Sequence, residues 1–265
     1  MGNLLATPRG WLESFGEIVK FCAQIIANVL NLRVFKYFGE VLRQAGILIV
    51  SSTLVIWALV FIIGLQCGIE GAYFDQSTGT PAYAGVFAAW CDLRELVPLC
   101  FGYMMAAKVG TGIVAELGSM RISDEIDALE VMGINGVTFL CATRLVGSML
   151  VLPFVYLCSI GAGFFASYLA VVQQIGDVSS GGYFLVFWEF QNPPDVLYSL
   201  IKAMAMALLV VLVGCYYGYN ASGGPVGVGT ATAKSMVFNI VGVHLISMLG
   251  TQLFWGANPR APIGG

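Results

Sequence analysis

Arg94 and Glu95, adjacent at the mouth of a long apolar run, are the residues best placed to do chemistry in this chain. Lys108 follows about four helical turns later. Arg144 and Lys202 each stand about two turns inside other apolar runs. An ionised side chain in hydrocarbon costs roughly 3 kcal/mol on insertion scales unless it is paired or hydrated. Such charges point to an ion pair, to a stem that snorkels to the interface, or to the polar lining of a path for an amphiphile. Lys108 is expected to snorkel, and Arg144 and Lys202 either to snorkel or to pair. Arg94 would attract an acidic headgroup at the mouth of such a path, and Glu95 would hold it in position.

Catalytic readings find less support. His244 is the only histidine and has no acidic or cysteine neighbour one helical turn away. A metal site or a nucleophile–base triad would have to be assembled from distant segments. His244 is therefore expected to be hydrogen-bonded inside a bundle, and no catalytic or metal-binding residue is assigned. Residues 228–235 read Val-Gly-Thr-Ala-Thr-Ala-Lys-Ser and superficially resemble a phosphate-cradling loop, but Val228 and Ala233 stand where that motif needs glycine. The chain should neither hydrolyse ATP nor bind a cofactor of its own. Seven cysteines (Cys22, Cys67, Cys91, Cys100, Cys141, Cys158, Cys215) contain no C-x-x-C pair, which removes zinc-ribbon and thioredoxin-like chemistry. Most are expected to be small apolar fillers. Cys67 and Cys91 bracket one polar segment and would form a disulfide if it faces an oxidising compartment.

The most charged stretch, residues 116–135, carries a short helix near 122–133. Ser123 is read as its N-cap, Asp124 and Glu125 complement the positive end of the helix dipole, and Gly133 suits the terminating left-handed position. Ile122, Ile126, Leu129 and Met132 make one apolar stripe, with Asp127 and Glu130 on another face. Such a helix is either a docking element or a solvated connector.

What must position these residues is a membrane bundle. Of 265 residues, 58% are hydrophobic and 10% charged, far from the balance of a water-soluble domain. Net charge is −3 with mixed signs and no polybasic run, so nucleic acid is not an expected partner. The N-terminus shows no removable signal peptide. Residues 11–40 alternate as an amphipathic helix, with Trp11, Phe15, Ile18, Cys22, Ile25 and Val29 on one face and Glu13, Glu17, Lys20, Gln24, Asn28 and Asn31 on another, and should lie in the interface. Five spans are expected, near 47–65, 96–115, 137–172, 196–219 and 233–255, the third bent near Pro153. The segments 68–92 and 173–195 should be loops, the latter with an aromatic belt of Trp188 and Phe190, and 220–229 a glycine-rich turn. The fold class is thus all-α, an interfacial helix followed by five transmembrane helices. Residues 1–42 would be cytoplasmic, 43–256 the five-span domain and 257–265 an extracytoplasmic tail. Arg9, Lys20, Arg33, Lys36, Arg43, Arg121 and Lys234 fall on one side and only Arg94 and Arg260 on the other, so the N-terminus should be inside and the C-terminus outside.

Residues 93–98 (Leu-Arg-Glu-Leu-Val-Pro), 108–112 (Lys-Val-Gly-Thr-Gly), 115–118 (Ala-Glu-Leu-Gly), 124–134 (Asp-Glu-Ile-Asp-Ala-Leu-Glu-Val-Met-Gly-Ile) and the glycine-rich 223–235 together resemble the MlaE/YrbE permease family. The likeness covers roughly residues 40–256. It implies an ABC transporter moving lipid between membranes, two permeases forming a dimer, and a separate ATPase that alone binds ATP and Mg. It also implies that Glu116, Asp124, Glu125, Ile126, Asp127, Leu129, Glu130 and Met132 meet that ATPase, and that Arg94 and Glu95 lie on the lipid pathway. The length, segment 68–92 and the tail 258–262 are most similar to actinobacterial YrbE A-type members of Mce systems. That similarity implies a B-type permease as heterodimer partner, an MceG-like ATPase dimer, a tube of Mce proteins outside the cytoplasmic membrane, and import of fatty acids, mycolic acids or sterols. Ser247 departs from the acidic residue of many relatives, so no role for a charge is assigned there. A membrane-embedded lipid-modifying enzyme and a structural anchor for envelope proteins are the alternatives.

Overall fold

The computed structural model describes residues 8–257. The tail with Arg260 and the side chains of Arg9, Trp11 and Glu13 lie outside what is described. Among the described residues there are only helices and turns, and five helical segments are long and apolar enough to cross a membrane: Arg33–Ser77, Pro81–Ile122, Val137–Ile175, Pro193–Tyr219 and Gly224–Trp255. The protein is an all-α, multi-pass membrane protein. Helices are the form that lets apolar sequence satisfy every backbone N–H and C=O where no water can.

The amphipathic helix is shorter than its sequence pattern. It spans Pro8–Leu30 and stops where Leu32 takes a left-handed φ of 56°, and one 3-10 turn, Arg33–Tyr37, then leads into the first span. Ile18 and Ile25 are buried, and so is Asn28, which the pattern had placed on the polar face, whereas Phe15 is exposed. Phe21 turns inward to pack on the rings of Tyr216 and Tyr219, at 5.7 and 5.6 Å.

Three expected loops become helix. In 68–92 the first span continues to Ser77, and helical structure resumes at Pro81. Gly71, read as a loop former, instead permits close packing: a Cβ there would fall 2.5 Å from the Phe87 ring. Segment 173–195 contains a helix, Ser180–Glu189, whose N-cap Ser179 accepts a hydrogen bond from the Gly182 N–H. Trp188 on it is exposed, but Phe190 is buried and belongs to the packed interior rather than an interfacial belt. The turn at 220–229 shrinks to a few residues, because Gly223 and Gly224 adopt φ of 90° and 70° and the fifth span begins at Gly224.

The chain forms two compact units: one from residues up to Leu48 with Ala106–Leu150 and Leu208–Asn239, the other from Ile49–Met105, Val151–Ala207 and Ile240 onward. Each span contributes to both. The second unit is tight where the first and third spans meet: a Cβ on Gly64 would collide with the Gly163 carbonyl oxygen and sit 2.9 Å from the Gly163 Cα. Backbone cannot swing aside as a side chain can. Gly64→Val should therefore destabilise the purified protein by about 1–3 kcal/mol, the usual cost of overpacking, read as a fall in thermal midpoint, while Gly161→Ala, where a Cβ meets nothing within 4 Å, should leave it unchanged.

Candidate functional site

Arg94 and Glu95 lie on a π-helical stretch, Ala88–Leu96, in which Val97 N–H bonds to the Asp92 carbonyl five residues back. Such wide turns are rare and concentrate at functional sites. Pro98 follows immediately and has no N–H to offer the carbonyl of Arg94, four residues back, or of Leu93, five back. Both carbonyls are met by side chains of the fourth span: Lys202 Nζ donates to Arg94 O at 2.9 Å, and Ser199 Oγ donates to Leu93 O at 2.5 Å. Tyr156 OH and Ser199 Oγ form a further hydrogen bond. The Arg-Glu-Leu-Val-Pro motif thus exposes backbone acceptors that the fourth span is built to fill.

The charges close into a network of two cations and two carboxylates. Arg94 pairs with Asp195 through Nε at 3.0 Å and Nη2 at 2.7 Å, with its guanidinium over the rings of Trp90 and Trp255 at 4.6 and 5.4 Å. Trp255 Nε1 donates to the other Asp195 oxygen at 2.9 Å. Lys202 is fully buried and donates to Glu95 Oε2 at 2.8 Å and to Thr251 Oγ1 at 2.7 Å, besides Arg94 O. Those are the three acceptors an ammonium's three N–H groups require. Thr251 also donates to Glu95, and Ser247 Oγ approaches the same carboxylate at 3.4 Å. Ser247, which carries no charge, still joins the network.

Arg94 and Glu95 engage different partners. Asp195 holds Arg94, and Glu95 is held by Lys202, as successive helical side chains point about 100° apart. Lys202 and Arg144 are both ion-paired rather than snorkelling: Arg144, 4% exposed, meets Glu116 at 2.6 Å and donates to Gln44 at 3.3 Å. Lys108 is exposed. A cavity of about 370 Å³ opens beside the network, with Val86, Phe87, Trp90 and Trp255 as apolar walls and Cys91, Arg94, Glu95 and Thr251 completing the lining. Glu95, 40% exposed, is the most accessible charge of the four, against 9% for Arg94.

Cys67 and Cys91 are free thiols, the first buried and the second half-buried. His244 is exposed on the fifth span; its Nδ1 lies 2.9 Å from Ile240 O and its Nε2 2.6 Å from Tyr103 OH. It is hydrogen-bonded as expected, though not buried. Among the described residues no group of three or more His, Cys, Asp or Glu could hold a metal.

The short helix spans Glu125–Val131, and its caps differ from the sequence reading. Ser123 ends the preceding helix instead, its single O–H placed to donate to either Ser119 O or Glu125 Oε1, each at 2.9 Å. Asp124, at φ 59°, begins the new helix with no side-chain cap. Gly133 is the left-handed stop, at φ 78°. Ile126 is fully buried and Leu129 half-buried, so the middle of the apolar stripe faces the protein's own unit, while its ends, Ile122 and Met132, are exposed. The outward apolar residues are Val131 at 89% and Met132 at 65% exposure. Of the acidic residues, Asp127 pairs with Arg121 at 2.5 Å and Glu130 accepts from Tyr219 at 2.9 Å, whereas Glu116 belongs to the Arg144 pair.

Sequence reasoning missed Asp195, Trp255, Thr251 and Ser199. Asp195 stood in an apparent loop. Its signal was its place in the first turn of an apolar helix beginning Pro-Pro, where a carboxylate complements the dipole.

Residues 41–253 match the Permease MlaE family. The chain is 31% identical over 244 residues to the "Probable ABC transporter permease protein" of Rickettsia conorii, spanning 92% of this chain and 93% of that one. It is 27% identical over 242 residues to the protein TRIGALACTOSYLDIACYLGLYCEROL 1, chloroplastic, of Arabidopsis thaliana, spanning 87% and 67%. It is 26% identical over 227 residues to the intermembrane phospholipid transport system permease protein MlaE of Haemophilus influenzae, spanning 84% and 85%. A polytopic bundle with charges paired inside it and an apolar cavity beside them has the features of a permease, and the chain belongs to the MlaE permease family.

Truncating Lys202 strands Glu95 and two further acceptors. Lys202→Met should cost about 2–3 kcal/mol, below the full figure for a buried pair because Glu95 is partly hydrated. Adding Glu95→Gln should recover part of that loss, measured as a double-mutant cycle on thermal unfolding in detergent. Additive losses would mean the two residues act separately.

Proposed function

We propose that this chain is the membrane-spanning subunit of an ATP-driven lipid transporter, non-catalytic itself, and that the cavity beside Arg94 and Glu95 receives the lipid. The observation that carries the reading is the pairing of aromatic and aliphatic walls with a charged rim in one cavity. An acyl chain would lie against Val86, Phe87, Trp90 and Trp255, with its headgroup at Glu95 and Thr251. Family membership supports the transport class. The names of the Haemophilus and Rickettsia relatives support phospholipid-type cargo and an ABC system.

The finer assignment rests on the motif resemblance alone: an Mce-type importer of fatty or mycolic acids, in which this A-type chain pairs with a B-type permease. An MceG-like ATPase dimer would bind ATP and Mg on the cytoplasmic side, and Mce proteins would form the outer tube. The chain would sit in the cytoplasmic membrane with its N-terminus inside. Lipid retained by the purified complex, identified by mass spectrometry, tests the reading: fatty or mycolic acids support the Mce assignment, phospholipids shift it to the cargo named for the Haemophilus relative, and none overturns the cavity.

The helix Glu125–Val131 is the proposed ATPase contact. The burial of Ile126 and Leu129 redirects the docking face to Val131 and Met132, with Asp124, Glu125 and Asp127 as its acidic residues. A partner groove would take the two apolar side chains while its basic rim met the acids. Val131→Asp with Met132→Asp should release most copurifying ATPase while the permease still reaches the membrane. The reversal of Asp127 and Glu130 should do less, because both already have partners within the chain. Full ATPase recovery with both double variants would reduce the helix to a connector.

Orientation is decided by labelling a single cysteine at Ala257 on intact cells. Reaction before permeabilisation is expected, and reaction only afterwards would invert the topology.

A further inference from the structure

We propose that Tyr219 is a positioning residue: it orients the Glu125–Val131 helix and ties it to the amphipathic helix Pro8–Leu30, so that the two helices move together. The inference rests on the reading of Glu125–Val131 as the ATPase contact, and all its residues belong to one compact unit.

A helix of 7 residues is too short to hold its own shape in water, so the direction in which it presents Val131 and Met132 is set by what it leans on. Ile126, fully buried, is one anchor. A single anchor leaves the helix free to roll. Glu130 lies one turn on from Ile126 along the same face, and it accepts a hydrogen bond from Tyr219 OH at 2.9 Å. The two anchors meet in one patch: a Cβ on Gly136 would fall 2.9 Å from the Tyr219 hydroxyl oxygen and 3.4 Å from Ile126 Cγ2, so both side chains sit against the same glycine. With both points held the roll is fixed, and Val131, the residue after Glu130, is turned about 100° away from it toward the outside. The remaining tie, Arg121 to Asp127, joins two exposed side chains, the kind of pair that water weakens most.

The ring of Tyr219 makes the second connection. It packs on Phe21 at 5.6 Å, and Tyr216, about one turn earlier on the fourth span, packs on the same Phe21 at 5.7 Å, with Tyr216 OH 3.4 Å from Glu17. Phe21 is thus gripped by two rings of one helix. The path from the amphipathic helix to the Glu125–Val131 helix is Phe21, Tyr219, Glu130, and each link is a direct contact. A tyrosine suits the middle place because its ring packs while its hydroxyl bonds; a phenylalanine would keep the first link and lose the second. On its outer side the amphipathic helix exposes Phe15, Val19, Ile26 and Leu30, side chains that an interfacial helix sets among lipid headgroups. A shift of that helix in the lipid surface therefore reaches the ATPase contact through one side chain.

Two readouts on the full-length protein test this. The first needs no ATPase: amide hydrogen exchange within residues 125–131 of the purified permease, which reports local opening. Tyr219→Phe should exchange there about threefold to tenfold faster, the effect of one lost hydrogen bond, and Glu130→Gln, which keeps an acceptor, should stay at the wild-type rate. Phe21→Ala should also speed exchange at 125–131, but should add nothing in the Tyr219→Phe background, where the path is already cut. If Phe21→Ala does not reach the membrane, Phe21→Leu takes its place under the same criterion. The second readout is ATP hydrolysis by the complex with its copurified ATPase: Tyr219→Phe should retain the ATPase and lower hydrolysis at least threefold at an unchanged thermal midpoint. Wild-type exchange in Tyr219→Phe overturns the positioning role, and wild-type exchange in Phe21→Ala overturns the tie to the amphipathic helix. Wild-type hydrolysis in Tyr219→Phe, despite faster exchange, overturns the bearing on coupling. Failure of the contact reading itself looks different: Val131→Asp with Met132→Asp then keeps the ATPase bound, while the exchange results stand.

Discussion

Lys202 directs its three N–H groups at Glu95, Thr251 and the Arg94 carbonyl, and the geometry around the candidate site follows from that. Hydrocarbon offers no competing hydrogen bonds, so an ammonium there is held only where the protein supplies every acceptor. One of those acceptors exists because Pro98 cannot close its own helical turn onto Arg94. The proline therefore fixes the register between the second and fourth spans: slip either helix by one residue and the freed carbonyl faces a methylene.

How far the sequence discloses this depends on the range of the interaction. Local patterns were legible. The apolar runs marked all five spans, the charges inside them marked Arg94, Glu95, Arg144 and Lys202, and Gly133 marked a helix end. Partnerships were not, because Arg94 and Asp195 are separated by 101 positions and Glu95 and Lys202 by 107, and nothing local distinguishes a paired from a snorkelling lysine. Glycine misled in a consistent way. Gly68, Gly71 and the run after Gly224 have loop composition, yet in a membrane bundle small residues are where helices touch, and the Gly71 contact with Phe87 is such a place. The short helix shows a third limit. Its stripe of Ile122, Ile126, Leu129 and Met132 was visible, but an apolar stripe does not say which of its members face a partner and which its own chain: Ile126 is buried within the unit and Met132 is exposed.

The balance of charge bears on what the cavity can select. Among the described residues Arg94 is paired with Asp195 and Lys202 with Glu95, so the attraction first assigned to Arg94 is already met within the protein. The apolar walls do not confer affinity in the usual way either. Burying a methylene from water yields about 0.8 kcal/mol, but a lipid entering from a bilayer has its methylenes out of water already, and exchanging lipid contacts for Phe87 and the two tryptophans is close to neutral. What remains to discriminate is the rim, where Glu95 keeps part of its surface exposed and Thr251 and Ser247 hold its orientation. A transport site gains from this arrangement, because a cargo held mainly by shape and a few hydrogen bonds is released when a movement of the spans disturbs the rim, without a large free energy of binding to overcome.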